Sequence, residues 1–205
     1  MNKFSLFFVS VFVLSLFFIF SYIGALGFTM KDLVSTEPIF SEGDPFVGDD
    51  FTVTMFGVGD QRKYVLEKTF YDINAIEVFV KSNIRQASYD LILEHENHEL
   101  VAFFNQPAAN NRLHFYSANK TLETFDSEVF PGVWYLWRFE RVDLWHFNIF
   151  LFDENRVLIE SHLNVKSNQP WRESVKVQLY HMDDWVGYKT QVFWRGFVVE
   201  EGGLI

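Results

Sequence analysis

The chain has 205 residues, an aromatic fraction of 19% and a formal net charge of −10. It contains no cysteine, which excludes disulfides, a thiol nucleophile and a thiolate metal centre. The acidic balance disfavours nucleic-acid phosphate and anionic lipid headgroups as partners.

Phe4 to Met30 carries no charged side chain. An apolar run of about 20 residues is long enough to cross a bilayer as a helix. Residues 1–30 are therefore expected to be a transmembrane signal-anchor, with Tyr22 near one interface. A cleaved signal peptide is the rival reading, with Ala25-Leu26-Gly27 as a small-x-small cleavage site. Either reading exports the remainder of the chain. The expected location is the extracellular side of a cell membrane, on a single-pass anchor.

Residues 31–50 hold Pro38, Gly43, Pro45 and Gly48 among acidic residues and show no sustained periodicity. They read as a stalk or linker. Residues 51–205 read as one β-sandwich domain. Phe51 to Phe56 alternates threonine with apolar residues, and Ala75 to Lys81 places Ile76, Val78 and Val80 on one face. Tyr89 to His95 and Glu99 to Asn105 flank a short polar link. Arg112 to Tyr116, Trp134 to Arg141, Trp145 to Phe152, Val157 to Leu163, Val175 to His181 and Thr190 to Val199 continue the series. Period-two alternation with regular turn signals predicts an all-β antiparallel sandwich or barrel. No stretch after Met30 has the periodicity of an amphipathic helix.

From Ala75 to Glu200 the order of elements resembles the concanavalin A-like jelly rolls, in particular laminin-G-like domains. Ala75-Ile-Glu-Val-Phe-Val-Lys81 is similar to the family's early core strand. Trp134-Tyr-Leu-Trp-Arg-Phe-Glu140 is similar to its Trp-initiated strand. His146 to Phe152, the following turn and Arg156 to Glu160 resemble its next hairpin, and Arg195-Gly-Phe-Val-Val-Glu200 its closing strand. The hairpin carries Asn155 where the family often has glycine. The resemblance implies a jelly roll and a choice among sugar-binding lectins, adhesion modules and glycoside hydrolases.

Candidate chemistry is sparse. In Glu94-His95-Glu96-Asn97-His98-Glu99, His95 and His98 are conceivable zinc ligands, but the helical metalloprotease spacing fails at Glu99. Some jelly-roll glucanases use Glu-x-Asp-x-x-Glu on one strand, and Glu94, Glu96 and Glu99 match that spacing. That is the weak catalytic candidate set, since residues two apart share a strand face and two carboxylates can cleave a glycoside. The polar residues between the acids suit an exposed turn instead. Trp171 and Trp185 fall in predicted loops, and Asp183 and Asp184 precede Trp185. These four are the candidate ligand-binding residues, the two aspartates also being weak calcium candidates. The bland alternative is a loop pinned by a buried tryptophan. His114, His146, His162 and His181 stand isolated in strands.

The expectation is a membrane-anchored extracellular binding module, lectin-like or adhesive. Its partner is a glycan or a protein and not a nucleic acid. A structural subunit of a surface assembly and a glycoside hydrolase are the alternatives, and an enzyme is the lesser reading.

Overall fold

The computed structural model describes residues 46–47, 53–56, 62–84, 87–95, 98–106, 112–117, 120–171, 174–183 and 190–201. These residues form strands and connections only. The strands are β1 (Phe46–Val47), β2 (Val53–Phe56), β3 (Arg62–Tyr71), β4 (Ile73–Ser82), β5 (Ala87–His95), β6 (His98–Gln106) and β7 (Arg112–Ser117). They continue with β8 (Lys120–Glu128), β9 (Tyr135–Arg141), β10 (His146–Asp153), β11 (Leu158–Lys166), β12 (Ser174–Asp183) and β13 (Gln191–Glu201).

Two antiparallel sheets result. One has seven strands in the order β1-β2-β13-β4-β9-β10-β11, the other six in the order β3-β12-β5-β6-β7-β8. Alternation decides what lies between them. Ile76, Val78 and Val80 of β4 face inward as expected, joined by Trp137 and Phe139 of β9 and by Phe147, Ile149 and Leu151 of β10. From the six-stranded sheet come Leu91 and Leu93, Leu113 and Phe115, and Val175, Val177 and Leu179. Each such side chain, fully buried, contributes about 1.5–3 kcal/mol. The aromatic residues interlock: Tyr89 stacks on Trp137 at 5.5 Å, and Trp194 meets Trp137 edge-on at 5.8 Å. On β13 a register shift between Arg195 and Val198 brings Phe197 inward, with Gly196 in the left-handed region at φ 59°.

One side of the sandwich is tied between β8 and β11. The Glu160 carboxylate accepts the backbone N–H groups of Asp126 at 2.9 Å and Ser127 at 2.8 Å. Burial pushes this carboxyl up, but those bonds and the one from His162 pull it further down, to below its ordinary value.

Besides β1, two described strands, β3 and β8, are absent from the sequence reading. Both are edges of the six-stranded sheet. An edge strand needs fewer apolar residues: of the nine residues of β8 only Phe125 is buried, so the alternation is faint. Phe46–Val47, inside the segment read as linker, pairs with β2. No helix long and apolar enough to cross a membrane occurs among the described residues. The expected anchor at 1–30 lies outside them.

Candidate functional site

The acidic hexapeptide spans a hairpin. β5 ends at His95 and β6 begins at His98, with Glu94 in register with Glu99 and His95 with His98. This corrects the reading of three acids along one strand: Glu94 and Glu99 sit on two strands, and Glu96 lies outside the described residues. Of the polar residues between the acids, His95 and His98 close the two strands and Asn97 lies outside the described residues. No group of three or more His, Asp or Glu side chains able to hold a metal occurs among the described residues.

Trp171 is not a displayed loop aromatic. It is 2% exposed. Its ring stacks on Phe139 at 5.5 Å and its backbone N–H donates to the Leu144 carbonyl at 2.6 Å. The hydrophobic gain from burying an indole exceeds what exposure in a loop returns, so this tryptophan pins the loop to the core. Asp183 is the last residue of β12, in register with Ala87. Asp184 and Trp185 lie outside the described residues.

What the structure does bring together is a polar face on the outside of the six-stranded sheet. β5 and β12 are neighbours near its middle. Their inward residues are Leu91, Leu93, Val177 and Leu179, so Asp90, Ile92, Glu94, Lys176 and Gln178 point the other way. Asp90 and Gln178 are each only 8% exposed although they face away from the core. The Gln178 amide Nε2 donates to Glu94 Oε2 at 3.1 Å, and Lys176 Nζ lies 3.9 Å from the same oxygen. Across the sheet, register sets Asp90 opposite Phe104 of β6, and Phe104 opposite His114 of β7. His114 Nδ1 shares a hydrogen bond with the Thr124 hydroxyl at 3.0 Å, and its ring lies 6.2 Å from that of Tyr116. Burial, aided by the charge of Arg112, holds the His114 imidazole below its usual value, so the ring is neutral at pH 7.

The face therefore offers a carboxylate, an amide, a neutral imidazole, a phenol and an ammonium group on rigid strands. Such groups fix the hydroxyls of a polar ligand. Asp90 and Glu94 lie on the same face with Ile92 between them, so an apolar residue occupies the middle position. The sequence reading missed Asp90, Lys176 and Gln178. Their signal was the second half of each alternation: in Leu91–Leu93 and Val177–Leu179 the apolar residues mark the core, and the polar residues beside them mark a face.

No family model matches the chain, and no curated protein matches its sequence. Solved structures do resemble it. A Crh5 transglycosylase in complex with NAG has a TM-score of 0.62 at 8% identity, over 88% of this chain and 86% of that one. The carbohydrate-binding module CBM66 from Bacillus subtilis has a TM-score of 0.51 at 12% identity, over 85% and 95%. A family 16 glycosyl hydrolase from Mycobacterium smegmatis has a TM-score of 0.51 at 12% identity, over 76% and 78%. At such identities the likeness is one of fold. The fold is a concanavalin A-like jelly roll, as the resemblance implied.

Proposed function

We propose that the chain is a saccharide-binding jelly-roll module, held at the outside of a cell membrane by its N-terminal segment, with the outer face of the six-stranded sheet as its binding surface. The observation that carries this reading is the placement of Asp90 and Gln178. Both are nearly buried, yet they belong to the sheet's outward side with Glu94 and Lys176, and His114 lies two strands from Asp90. Polar groups withdrawn from water on a rigid sheet bind sugar hydroxyls with little reorganisation. The reading draws support from the carbohydrate-binding module and the NAG-bound transglycosylase among the structures of similar fold. The membrane half rests on the uncharged run Phe4 to Met30.

The test is a glycan array probed with the full-length chain in a detergent that has no sugar headgroup, with and without calcium. At least one neutral saccharide binds, and Asp90→Asn and Gln178→Ala weaken it without unfolding the domain. Absence of binding at millimolar sugar, or binding indifferent to both substitutions, would sink the reading.

One observation favours a second reading, a subunit of a surface assembly. The edge strand β11 and the turn before it expose Val157, Leu158, Ile159 and Leu163, the last at 65%. Exposed apolar residues on a sheet edge are a pairing surface. Size-exclusion chromatography of the full chain with Leu158→Lys and Leu163→Lys separates the two readings: a monomer in both parent and variant removes the second.

A further inference from the structure

The seven-stranded sheet has an outer face of its own, which the site on the six-stranded sheet does not use. Register sets its order. Phe193 of β13 lies opposite Lys81 of β4, and Arg195 lies opposite Phe79. Val80 lies opposite Tyr135, which brings Trp134, just before β9, beside Lys81. Lys81 Nζ is 4.7 Å from the centre of the Trp134 ring and 4.9 Å from that of Phe193. The Arg195 guanidinium is 4.1 Å from the same Trp134 ring and 5.5 Å from Phe79. Two cations thus share one indole, and all five side chains are half-exposed.

Two other cations of this face are neutralised. Arg138 is tied to Glu77, Glu140 and Glu200, and Arg156 to Glu77. Among the described residues, neither Lys81 nor Arg195 has a carboxylate partner. In a chain of net charge −10, two unpaired like charges gathered on one ring form a local exception. Ring quadrupoles attract them, but only weakly at exposed sites. An incoming anion would neutralise both at once.

We propose that Lys81, Arg195 and Trp134 form a second ligand site, on the sheet opposite the first, for the carboxylate of an acidic saccharide. A guanidinium presents parallel donors that fit a carboxylate fork, and an ammonium adds a third from the side. The indole and the Phe193 ring offer an apolar surface to the C–H face of a pyranose. The alternation of ring and cation on strands about 4.8 Å apart favours a sugar over an acidic peptide. It suits a ligand that carries its acid on a ring, whereas a peptide carboxylate on a flexible stem has no use for the platform. Solvent exposure makes the attraction sensitive to salt, which screens it within about 8–10 Å.

The experiment is calorimetric titration of the full-length chain, in a detergent free of sugar headgroups, with an oligogalacturonate, with the neutral oligogalactan and with oligoglutamate. The oligogalacturonate binds, its affinity falls as salt is raised, and Lys81→Gln and Arg195→Gln each weaken it about tenfold or more. Both variants keep the parent's circular dichroism and whatever neutral-saccharide binding the parent has. Trp134→Phe, which keeps a ring, weakens binding less than Trp134→Ala. No oligogalacturonate binding by the parent, or unchanged binding in both charge variants, overturns the proposal. Equal affinity for oligoglutamate overturns the assignment to a saccharide. Failure of the first face to bind neutral sugars leaves this site untouched, because no residue is shared.

Discussion

On the seven-stranded sheet Glu77 is 6% exposed and lies between two guanidinium groups, with Arg156 at 2.7 Å and Arg138 at 3.0 Å. On the six-stranded sheet Asp90 and Gln178 are almost as buried, yet the one described ion pair beside them, Lys176 to Glu94, spans 3.9 Å between partly exposed side chains. Both sets were built the same way, from the outward positions of central strands. They differ in the ion pairs that hold their carboxylates. Around Glu77 short contacts from three strands and a turn close the set on itself, so its charges serve the fold. Around Glu94 the described partners are one neutral amide, Gln178 at 3.1 Å, and one ammonium, Lys176 at 3.9 Å, so a single weak ion pair holds the carboxylate. Depth of burial is alike in the two sets; what differs is that two guanidinium groups bind Glu77, whereas one ammonium approaches Glu94.

The largest effect should come from breaking the closed set. Removing one partner of a buried ion pair leaves an uncompensated charge and costs about 3–5 kcal/mol. Glu77→Ala is therefore expected to destabilise by about 3 kcal/mol, since Arg138 keeps Glu140 and Glu200 and water reaches Arg156. Glu94→Ala should cost less, about 1–2 kcal/mol, since it removes one partly exposed ion pair and the acceptor of the Gln178 amide. Urea denaturation of both variants decides the matter, and equal losses would erase the distinction between the faces.

The same contrast has a pH form. Burial pushes the Glu77 carboxyl up, while hydrogen bonds from Arg156 and Arg138 pull it down further, leaving it below the ordinary value of 4.5. A depressed carboxylate contributes stability that is complete above its unfolded value and lost as pH falls through the folded one. Unfolding free energy should accordingly drop below about pH 4.5, and Glu77→Gln should flatten that drop. Glu160 at the β8–β11 seam acts in the same direction, so some slope survives the substitution. A slope identical to the parent's would show that Glu77 carries none of it.

On the six-stranded sheet the readout is affinity. Asp90→Asn keeps shape and removes charge; a tenfold loss of saccharide affinity, equivalent to about 1.4 kcal/mol, is expected with little change in unfolding. Burial and Arg112 hold His114 below its usual value, so affinity should stay level from pH 8 to pH 6.5 and shift only under more acidic conditions. A transition centred above pH 7 would remove the imidazole from the site.

The alternation that built both faces was legible in the letters; the partners were not. Ala75 to Lys81 states that Ile76, Val78 and Val80 go inward, and by the same rule that Glu77, Phe79 and Lys81 go outward. It cannot state that Glu77 meets Arg138, 61 residues on, or Arg156, 79 residues on. Those pairings depend on register between strands of one sheet, which short windows do not contain. The hairpin at Glu94 to Glu99 was visible because its polar link breaks the apolar period. Trp171 was not, since a loop has no period, and the pull of Phe139 and Phe147 on its ring is a tertiary matter. β8 escaped because an edge strand with one buried residue looks like a loop.

The smallest effect tests how backbone and charge are traded at the closed set. In the turn between β10 and β11, Asp153 Oδ1 accepts the N–H groups of Asn155 at 2.9 Å and Val157 at 2.8 Å. The residue in the left-handed region is Arg156, at φ 62°, one position beyond Asn155. A non-glycine residue there costs about 1–2 kcal/mol. Arg156 sits in that turn with its guanidinium forked on Glu77, at 2.7 and 3.3 Å. Arg156→Ala loses the fork and keeps the strain; Arg156→Gly loses the fork and releases most of the strain, at some entropic cost in the unfolded chain. The glycine variant should thus be the more stable of the two by roughly 0.5–1 kcal/mol, measured by paired urea titrations. If alanine equals glycine, the turn is unstrained and the arginine occupies it at no conformational cost. If glycine equals the parent, the fork on Glu77 contributes no more than the strain takes away, and Arg138 alone closes the set.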